Sequence, residues 1–335
     1  MILTNKNGNE IRALEYTLFD FDMNDDKSFT IEMPASEYKN DLVNGARIFK
    51  ENTEYGGLIG GFESYSEDGY VRITGRTWRG ILDKKIIRPD SGQDYKTVSG
   101  DVNTIIRNFL DIFGLTSLFS ISETNLGISV TNYQFDRYCT FYEGVCKMLK
   151  SLNLKMVLAY DRGDSGQSGK VHVSVEPVID YSLKDEISNS STVYFTIKVQ
   201  SDGVNHLICL GRGELKDREV VDLFIDKNGN VSQTQYFTGI NEVVEVYDYK
   251  GADDTATLIE YGRRRLLEAS NSQYMSMDIY QLGYAPLIGD IVGGRDKITG
   301  ISMKQPIVNI IYKEEKGSES LQYVVDGDSL SSYDL

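Results

Sequence analysis

Residues 57–82 read GLIGGFESYSEDGYVRITGRTWRGIL, and this stretch decides the fold class. Apolar and polar side chains alternate over 57–65 and again over 70–82, which is the period-two pattern of strands with one buried face. Glu67-Asp68-Gly69 supplies turn chemistry between the two runs. The stretch therefore predicts two antiparallel strands joined by a hairpin.

Alternating runs of the same kind precede this hairpin, over 11–23 and 28–33. Asn7-Gly8 and Asp25-Asp26 break the chain beside them with residues that favour tight turns. The sequence also contains 22 tyrosines and 13 phenylalanines, and aromatic residues are enriched in strands. About the first 90 residues are therefore predicted to form a small antiparallel β-barrel or sandwich.

Three later segments carry helical spacing instead. Asp101 can cap a helix that Gly114 ends, and further helices are predicted over about 141–152 and 253–269. The rest of the chain is predicted to be mainly strands, so the fold class is α+β, mainly β. These strand patterns cover 154–160, 170–176, 192–200, 206–210, 220–225, 231–237, 276–280, 288–293, 300–312 and 321–325.

Size and charge limit the possible functions. A chain of 335 residues usually divides into two or more domains. With 35 Lys and Arg against 50 Asp and Glu, the net charge is −15. This charge repels phosphate backbones and argues against a conventional nucleic-acid-binding surface. The N-terminal Met1-Ile2-Leu3 turns polar at once, and no apolar run approaches the roughly 20 residues of a membrane helix. We therefore expect synthesis in a cytoplasm without signal-directed export, and no membrane span.

Side chains that commonly carry catalysis or bind metals are few. His172 and His206 lie on separate strand-like runs, and neither has an HxH, HxxE or HExxH partner. Cys139, Cys146 and Cys209 are an odd number without CxxC spacing, which argues against a disulfide framework and a zinc ribbon. We expect the three cysteines to be small buried hydrophobic residues.

Four other segments suggest binding sites but lack essential parts. Residues 20–26 and 226–230 begin like calcium loops without the closing glutamate, so a strand end and a hairpin turn are predicted there. Gly211-Arg212-Gly213 has no third glycine for a dinucleotide and predicts a kinked or bulged strand exit. Arg263-Arg264-Arg265 fits the solvated C-terminal half of a helix. We therefore predict no catalytic, cofactor-binding or metal-binding residue, and no cofactor.

Four segments carry a family resemblance: 55–61 (YGGLIGG), 75–89 (GRTWRGILDKKIIRP), 204–215 (VNHLICLGRGEL) and 288–300 (IGDIVGGRDKITG). In this order they resemble a siphophage tail-protein family of tail-tip hubs. That group is similar to the N-terminal region of tail-associated proteins and is related to the hubs of contractile tails. None of the four segments encodes a reaction, so the likeness lies in their order and spacing.

The resemblance implies two small antiparallel β-barrels, similar to those of tail tubes, with inserted α/β segments. The implied division is discontinuous along the chain. Residues 1–96 would form the first barrel, 97–185 with 220–272 the inserted α+β domain, 186–219 with 273–328 the second barrel, and 329–335 a loose tail.

The implied function is structural. A homotrimer would form a ring that continues the tail tube and lets DNA pass without specific binding. Its partners would be other copies of the chain, the distal tail protein and tail tube, and the tape measure protein or tail fibre and spike components. The protein would be located at the tail tip of the virion after synthesis in the bacterial host cytoplasm. Because the chain stops soon after the second barrel, without the hydrolase regions of longer members, we predict that it is not an enzyme.

Two other functions are compatible with the sequence. A surface carbohydrate-binding or adhesion module would fit the acidic charge and the many tyrosines, and it predicts a monomer with an exposed aromatic cleft. A hydrolase would need a concave pocket with two carboxylates.

Trp78 is predicted to be a core aromatic residue rather than a special packing anchor. In the hub interpretation, the net charge of −15 suggests a channel lined by carboxylates, which would repel DNA phosphates.

Overall fold

Strands dominate the protein and helices are few, so the predicted α+β, mainly β class is confirmed. The structure is a computed structural model. It describes residues 1–15, 17–163, 168–182, 186–188, 190–200, 202–252, 254–270 and 272–328. The predicted loose tail, 329–335, lies outside the described residues. Among the described helices, none combines the length and the apolar character needed to cross a membrane.

The elements of the described chain have the following bounds. The helices are α1 Trp78–Asp83, α2 Val102–Ile112, α3 Phe141–Lys150 and α4 Thr255–Ala269. The first strands are β1 Ile2–Thr4, β2 Glu10–Ala13, β3 Leu18–Asp22, β4 Ser28–Pro34, β5 Arg47–Phe49, β6 Gly56–Tyr65, β7 Tyr70–Thr77, β8 Thr97–Asp101, β9 Phe119–Ile121, β10 Ser129–Gln134, β11 Leu154–Asp161 and β12 Lys170–Pro177. The later strands are β13 Glu186–Ser188, β14 Val193–Gln200, β15 His206–Leu210, β16 Val220–Ile225, β17 Val231–Ser232, β18 Val244–Asp248, β19 Ser272–Ile279, β20 Ile291–Arg295, β21 Ser302–Glu315 and β22 Ser318–Asp328.

The chain divides into two compact units, each built from separate stretches of sequence. The first contains Met1–Tyr194, Asp278–Gly294 and Pro306–Val325. The second contains Phe195–Met277, Arg295–Gln305 and the described end of the chain from Asp326. Both units therefore depend on residues that are distant in sequence.

The main sheet of the first unit has the strand order β22-β21-β3-β4-β7-β6-β5-β1-β2, and every neighbouring pair is antiparallel. The predicted hairpin forms β6 and β7, with Tyr65 opposite Tyr70. The strand order is an open path that ends at β2, so the described sheets are not closed barrels and this detail of the prediction is wrong. Alternation reports one buried face per strand, whereas closure depends on whether the outermost strands meet.

A helix replaces the second half of the predicted strand 70–82. β7 ends at Thr77, whose hydroxyl accepts a hydrogen bond from the backbone amide three residues further on and caps α1. Trp78, Ile81 and Leu82 are all buried. Their spacing places them on one side of a helix, whereas a strand would send them to both faces.

Helices α2 and α3 share a core with the sheet β11-β12-β9. α2 buries Ile106 and Phe109, and α3 buries Val145 and Met148, all at the predicted helical spacing. Both helices lie within the segments predicted for them and end one or two residues earlier. The Asp101 carboxylate caps α2 as predicted, because its Oδ1 accepts the amide of the second helical residue at 3.0 Å.

Asp101 should make stability depend on pH. Its Oδ2 also accepts the Gly127 amide at 2.8 Å. Burial alone would raise the pKa of Asp101, but these backbone donors outweigh it and lower the pKa. A lowered pKa stabilises the fold above the ordinary aspartate pKa of about 3.9, and this contribution disappears as the pH falls through the lowered value. Asp101→Ala is therefore expected to cost about 2 kcal/mol at pH 7 and less at pH 3.

Urea unfolding at both pH values measures this difference. Asp111→Ala is a matched control, because Asp111 is an exposed acid near the other end of the same helix. An equal cost for Asp101→Ala at pH 3 and pH 7 would contradict a role for the charged carboxylate.

The second unit contains the sheet β17-β16-β15-β18 and the helix α4. β15 pairs antiparallel with β16 and parallel with β18. α4 packs on one face of this sheet, where Leu258 and Leu266 are buried with Cys209. Gly262 allows this approach, since a Cβ there would lie 2.4 Å from the Cys209 sulfur. The predicted hairpin between β16 and β17 is present, although β17 has only two residues.

Candidate functional face of the main sheet

The main sheet has one side in the core and one toward solvent. On the core side, Phe19, Phe21, Phe29, Ile31 and Ile73 are at most 1% exposed. The alternate residues of β21, β3, β4 and β7 lie side by side on the other side, because the register pairs them directly. This outer face consists of Ile311, Lys313 and Glu315, Leu18, Asp20 and Asp22, Ser28, Thr30 and Glu32, and Arg72, Thr74 and Arg76.

The outer face is polar, and its four carboxylates slightly outnumber its three cations. Lys313 Nζ lies 2.8 Å from Asp20 Oδ2, and Arg72 Nη2 lies 2.7 Å from Glu32 Oε1. All four side chains are 31–51% exposed, so the two pairs contribute little to stability. Their main effect is electrostatic: a phosphate that approached either cation would meet a carboxylate beside it.

A buried polar network connects α1 and α3 with the main sheet. Arg79 and Glu54 form its centre, with Arg79 Nη2 and Nε at 2.7 and 3.0 Å from the same Glu54 oxygen. Their side chains are only 3% and 10% exposed. Burial disfavours the charged guanidinium, but the Glu54 carboxylate outweighs this and raises the pKa of Arg79. The pair is therefore a buried ion pair in which Glu54 keeps the Arg79 guanidinium charged.

The network continues from α3 into the sheet. Arg79 Nη1 donates to the Tyr142 hydroxyl at 2.5 Å, and burial raises the Tyr142 pKa, so the phenol keeps its proton. This proton is donated to Asn24 Oδ1 at 2.6 Å. The backbone N–H of Asn24 donates to Asn309 Oδ1 at 2.8 Å. Asn309 Nδ2 in turn donates to Asp22 Oδ1 on the outer face at 3.0 Å. Hydrogen bonds thus run without a break from α1 to the outer face.

A second buried ion pair involves the segment 288–300, which contributes to the family resemblance. Lys155 Nζ on β11 lies 2.5 Å from Asp290 Oδ1, and the two side chains are 4% and 1% exposed. The Asp290 carboxylate also accepts the amides of Ile179 and Leu287, each at 2.8 Å. Gly289 has φ +97°, and a Cβ there would lie 3.1 Å from the Lys155 side chain. The Gly289-Asp290 pair therefore suits the close approach of a lysine, a partner that sequence spacing alone does not reveal.

The two histidines have different surroundings. His172 is exposed on β12. His206 lies between two carboxylates: its Nδ1 is 2.7 Å from Glu242 and its Nε2 is 2.9 Å from Asp222. These partners are 36 and 16 residues away in sequence, which explains why a search for short motifs misses them. They contact opposite ring nitrogens and do not converge on one point. Within the described part of the chain, no three His, Cys, Asp or Glu side chains are arranged to hold a metal ion.

The two acidic stretches form turns. Asp226 Oδ1 accepts the amides of Asn228 and Asn230 at 2.8 and 2.9 Å, which folds the β16–β17 hairpin tip. Asp22 Oδ1 accepts the amides of Asp25 and Asp26 at 2.9 and 3.1 Å at the end of β3. In each stretch, a single aspartate oxygen accepts both amides and so fixes the turn.

The remaining sequence candidates also have structural roles. Gly213 has φ +89°, and a Cβ there would lie 2.3 Å from the Asp217 carbonyl oxygen, so the glycine forms a tight turn after β15. Arg264 pairs with Glu260 on its own helix at 2.7 Å, and Arg265 pairs with Glu245 of β18 at 2.6 Å.

Trp78 is fully buried and packs against Tyr160, as expected of a core aromatic residue. Cys209 is buried, and burial raises its pKa to about 11, so its thiol is protonated and unreactive at neutral pH. Cys139 and Cys146 are free thiols and only partly buried, so they are more exposed than predicted.

No family model and no curated protein matches the sequence. Solved structures do match its fold. A tail protein from Neisseria meningitidis MC58 is 13% identical, with a TM-score of 0.52 over 99% of this chain and 98% of the other. The 43 kDa tail protein of prophage MuSo2 from Shewanella oneidensis is 13% identical, with a TM-score of 0.51 over 97% of each chain. The likeness predicted from the four sequence segments is thereby confirmed at the level of the fold.

Proposed function

We propose that this protein is a structural component of a bacteriophage or prophage tail, acting as the hub of the tail tip. One observation carries the proposal: the fold likeness to two tail proteins, one of them from a prophage, covers at least 97% of this chain and of each of theirs. A common small domain embedded in unrelated proteins would match only part of each chain. The proposed role is structural and non-enzymatic, and it places the protein in the virion after synthesis in the host cytoplasm.

The proposed assembly is a homotrimeric ring that continues the tail tube. The open main sheet supports this, because its edge strand β2 leaves backbone groups that a neighbouring subunit can pair or cover. The proposed partners are other copies of the chain, the distal tail protein and tail tube, and the tape measure protein or fibre and spike components. The division into 1–96, 97–185 with 220–272, and 186–219 with 273–328 remains our proposal for the domains within each subunit.

The outer face is our candidate for the wall of the channel through which DNA passes. This face is not net basic, and two of its three cations, Arg72 and Lys313, are each paired with a carboxylate. Serine and threonine side chains lie between these charges. Such a wall would not hold a polyanion, so DNA could slide past it without specific binding.

The mass in solution tests the ring directly. Light scattering on the purified protein is expected to give three times the 37.7 kDa of one chain, and negative-stain images should show rings with an open centre. A strict monomer at high concentration, also after addition of the distal tail protein, would contradict the hub and favour a surface adhesion module. A ring whose channel wall is net basic would contradict the proposed passage of DNA.

A further inference from the structure

The sheet of the second unit has two faces, and α4 packs on one of them. That face holds Leu207, Cys209 and Leu223, which are buried with α4. The register places the alternate residues of β15, β16 and β18 side by side on the opposite face, which we call the free face. The free face consists of His206, Ile208 and Leu210, Val220, Asp222 and Phe224, and Val244, Val246 and Asp248.

Apolar side chains of the free face are open to solvent. Val220, Val244 and Val246 are 52%, 47% and 56% exposed. Ile208 and Leu210, on the strand between them, are half-buried. A strand with one face in water normally alternates apolar and polar residues, whereas β15 is apolar without interruption over 207–210. Such a run is typical of a strand that is buried on both faces, so the free face lacks a covering layer.

The dimensions of the free face fit one α-helix. Three neighbouring strands span about 10 Å from the first to the third, and five paired residues extend over roughly 17 Å. A helix with its side chains is about 10–12 Å in diameter, and about 11 of its residues cover that length. α4 covers the opposite face in this way, with Leu258 and Leu266 buried against the sheet. A second helix would complete a layer of helices on both faces.

The described helices of a second copy do not supply this layer. α1, α2 and α3 bury their apolar stripes in one core, and α4 buries its own against the sheet. The exposed residues of α4 include Glu260, Arg263 and Arg264, which are charged. A helix with an unused apolar stripe therefore has to come from another polypeptide.

The charges of the free face specify the polar flanks of that helix. The side chains of Asp222 and Asp248 are 48% and 52% exposed. Glu242 lies at the rim, with its carboxylate 2.7 Å from His206 Nδ1. Arg218 is the cation at this face and is paired with Asp248. Three carboxylates thus accompany one arginine, which favours Lys and Arg beside the apolar stripe of the partner and repels an acidic helix.

We propose that the free face binds a basic amphipathic helix of another tail protein. The apolar stripe of the helix would pack on Ile208, Val220 and Val246, and its Lys or Arg side chains would lie beside Asp222 and Asp248. The inference rests on the proposed function, because that function places the partner in the tail. It does not require the ring, since the free face belongs to the second unit of one chain.

Site-specific photo-crosslinking in assembled tails tests the proposal. A benzophenone amino acid is placed at position 220, 244 or 246, one per variant, and mass spectrometry identifies the crosslinked residues. They are expected in one segment of another tail protein, three, four or seven positions apart, as on one face of a helix. With the crosslinker at 246, Val220→Asp should lower the yield at least tenfold. Ile298→Asp, the matched change at a residue that is 89% exposed outside this sheet, should leave the yield unchanged.

Three results would overturn the proposal while the proposed function stands, provided that the purified tails contain the protein. They are crosslinks to a second copy of this chain, crosslinked partner residues two positions apart, as in a strand, and the lack of any crosslink from the three positions. Absence of the protein from purified tails would refute the proposed function and this inference with it. Urea unfolding of the purified variants shows whether they fold, and Val244→Asp replaces Val220→Asp if the latter does not.

Discussion

Replacing Arg79 with methionine is expected to lower the free energy of unfolding by about 3–5 kcal/mol. The reason is the partner that remains: Glu54 would keep a carboxylate that is only 10% exposed, without its cation. The Tyr142 hydroxyl would also lose a donor at 2.5 Å, which weakens the link between α1 and α3. Urea unfolding at pH 7 measures the loss.

Two further variants make this test specific. Arg72→Met removes an ion pair of similar length whose members are each 36% exposed, so its cost should be far smaller than that of Arg79→Met. Combining Arg79→Met with Glu54→Met should restore much of the lost stability, because no unpaired charge remains in the core. If Arg79→Met costs no more than Arg72→Met, the buried network does not stabilise the fold in the way we infer.

Gly57→Ala is expected to destabilise the first unit by about 3 kcal/mol, or to prevent its folding. A Cβ at Gly57 would lie 2.1 Å from the Arg76 carbonyl oxygen and 2.7 Å from the Phe29 ring. The oxygen belongs to the backbone of the paired strand β7 and the ring to a buried core residue, so neither can move without disturbing the sheet. Soluble yield and urea unfolding measure the effect.

The same strand contains the matched control. Gly61 lies four residues further along β6, and a Cβ there would have no atom within 4 Å. Gly61→Ala should therefore change stability by at most about 0.5 kcal/mol, as for ordinary surface positions. Similar losses for the two variants would mean that both glycines are needed for the flexibility of the strand. The close packing at Gly57 would then not be the cause.

The fold class and most elements could be predicted from local patterns. The Asp101 cap, the helical faces of α2 and α3, and the hairpin at Asp226 depend on residues a few positions apart, and such signals are readable in one sequence. The helix α1 is not predicted, because its six residues continue a strand pattern without a break. Its signal was present in Thr77 as a cap and in the spacing of Trp78, Ile81 and Leu82.

The contacts that define the candidate site could not be predicted, because they join residues distant in sequence. Lys155 and Asp290 are 135 positions apart, and Asn24 and Asn309 are 285 apart. Neither pair has a spacing that a motif could record. Barrel closure has the same difficulty, since it depends on which outermost strands meet. The four segments that resemble tail proteins supplied what local patterns could not, namely the long-range order of the elements.

The pairing of β3 with β21 has a consequence for synthesis. Asp22 and Asn309 are 287 positions apart, and a bacterial ribosome adds about 5–20 residues per second, so β3 waits roughly 15–60 s for its neighbour. During this time the nascent chain carries an unpaired strand that other chains could join. Asp20 and Asp22 place two negative charges on that edge, a known protection against aggregation. The carboxylates of the outer face would thus protect the chain before they take any part in an assembled tail.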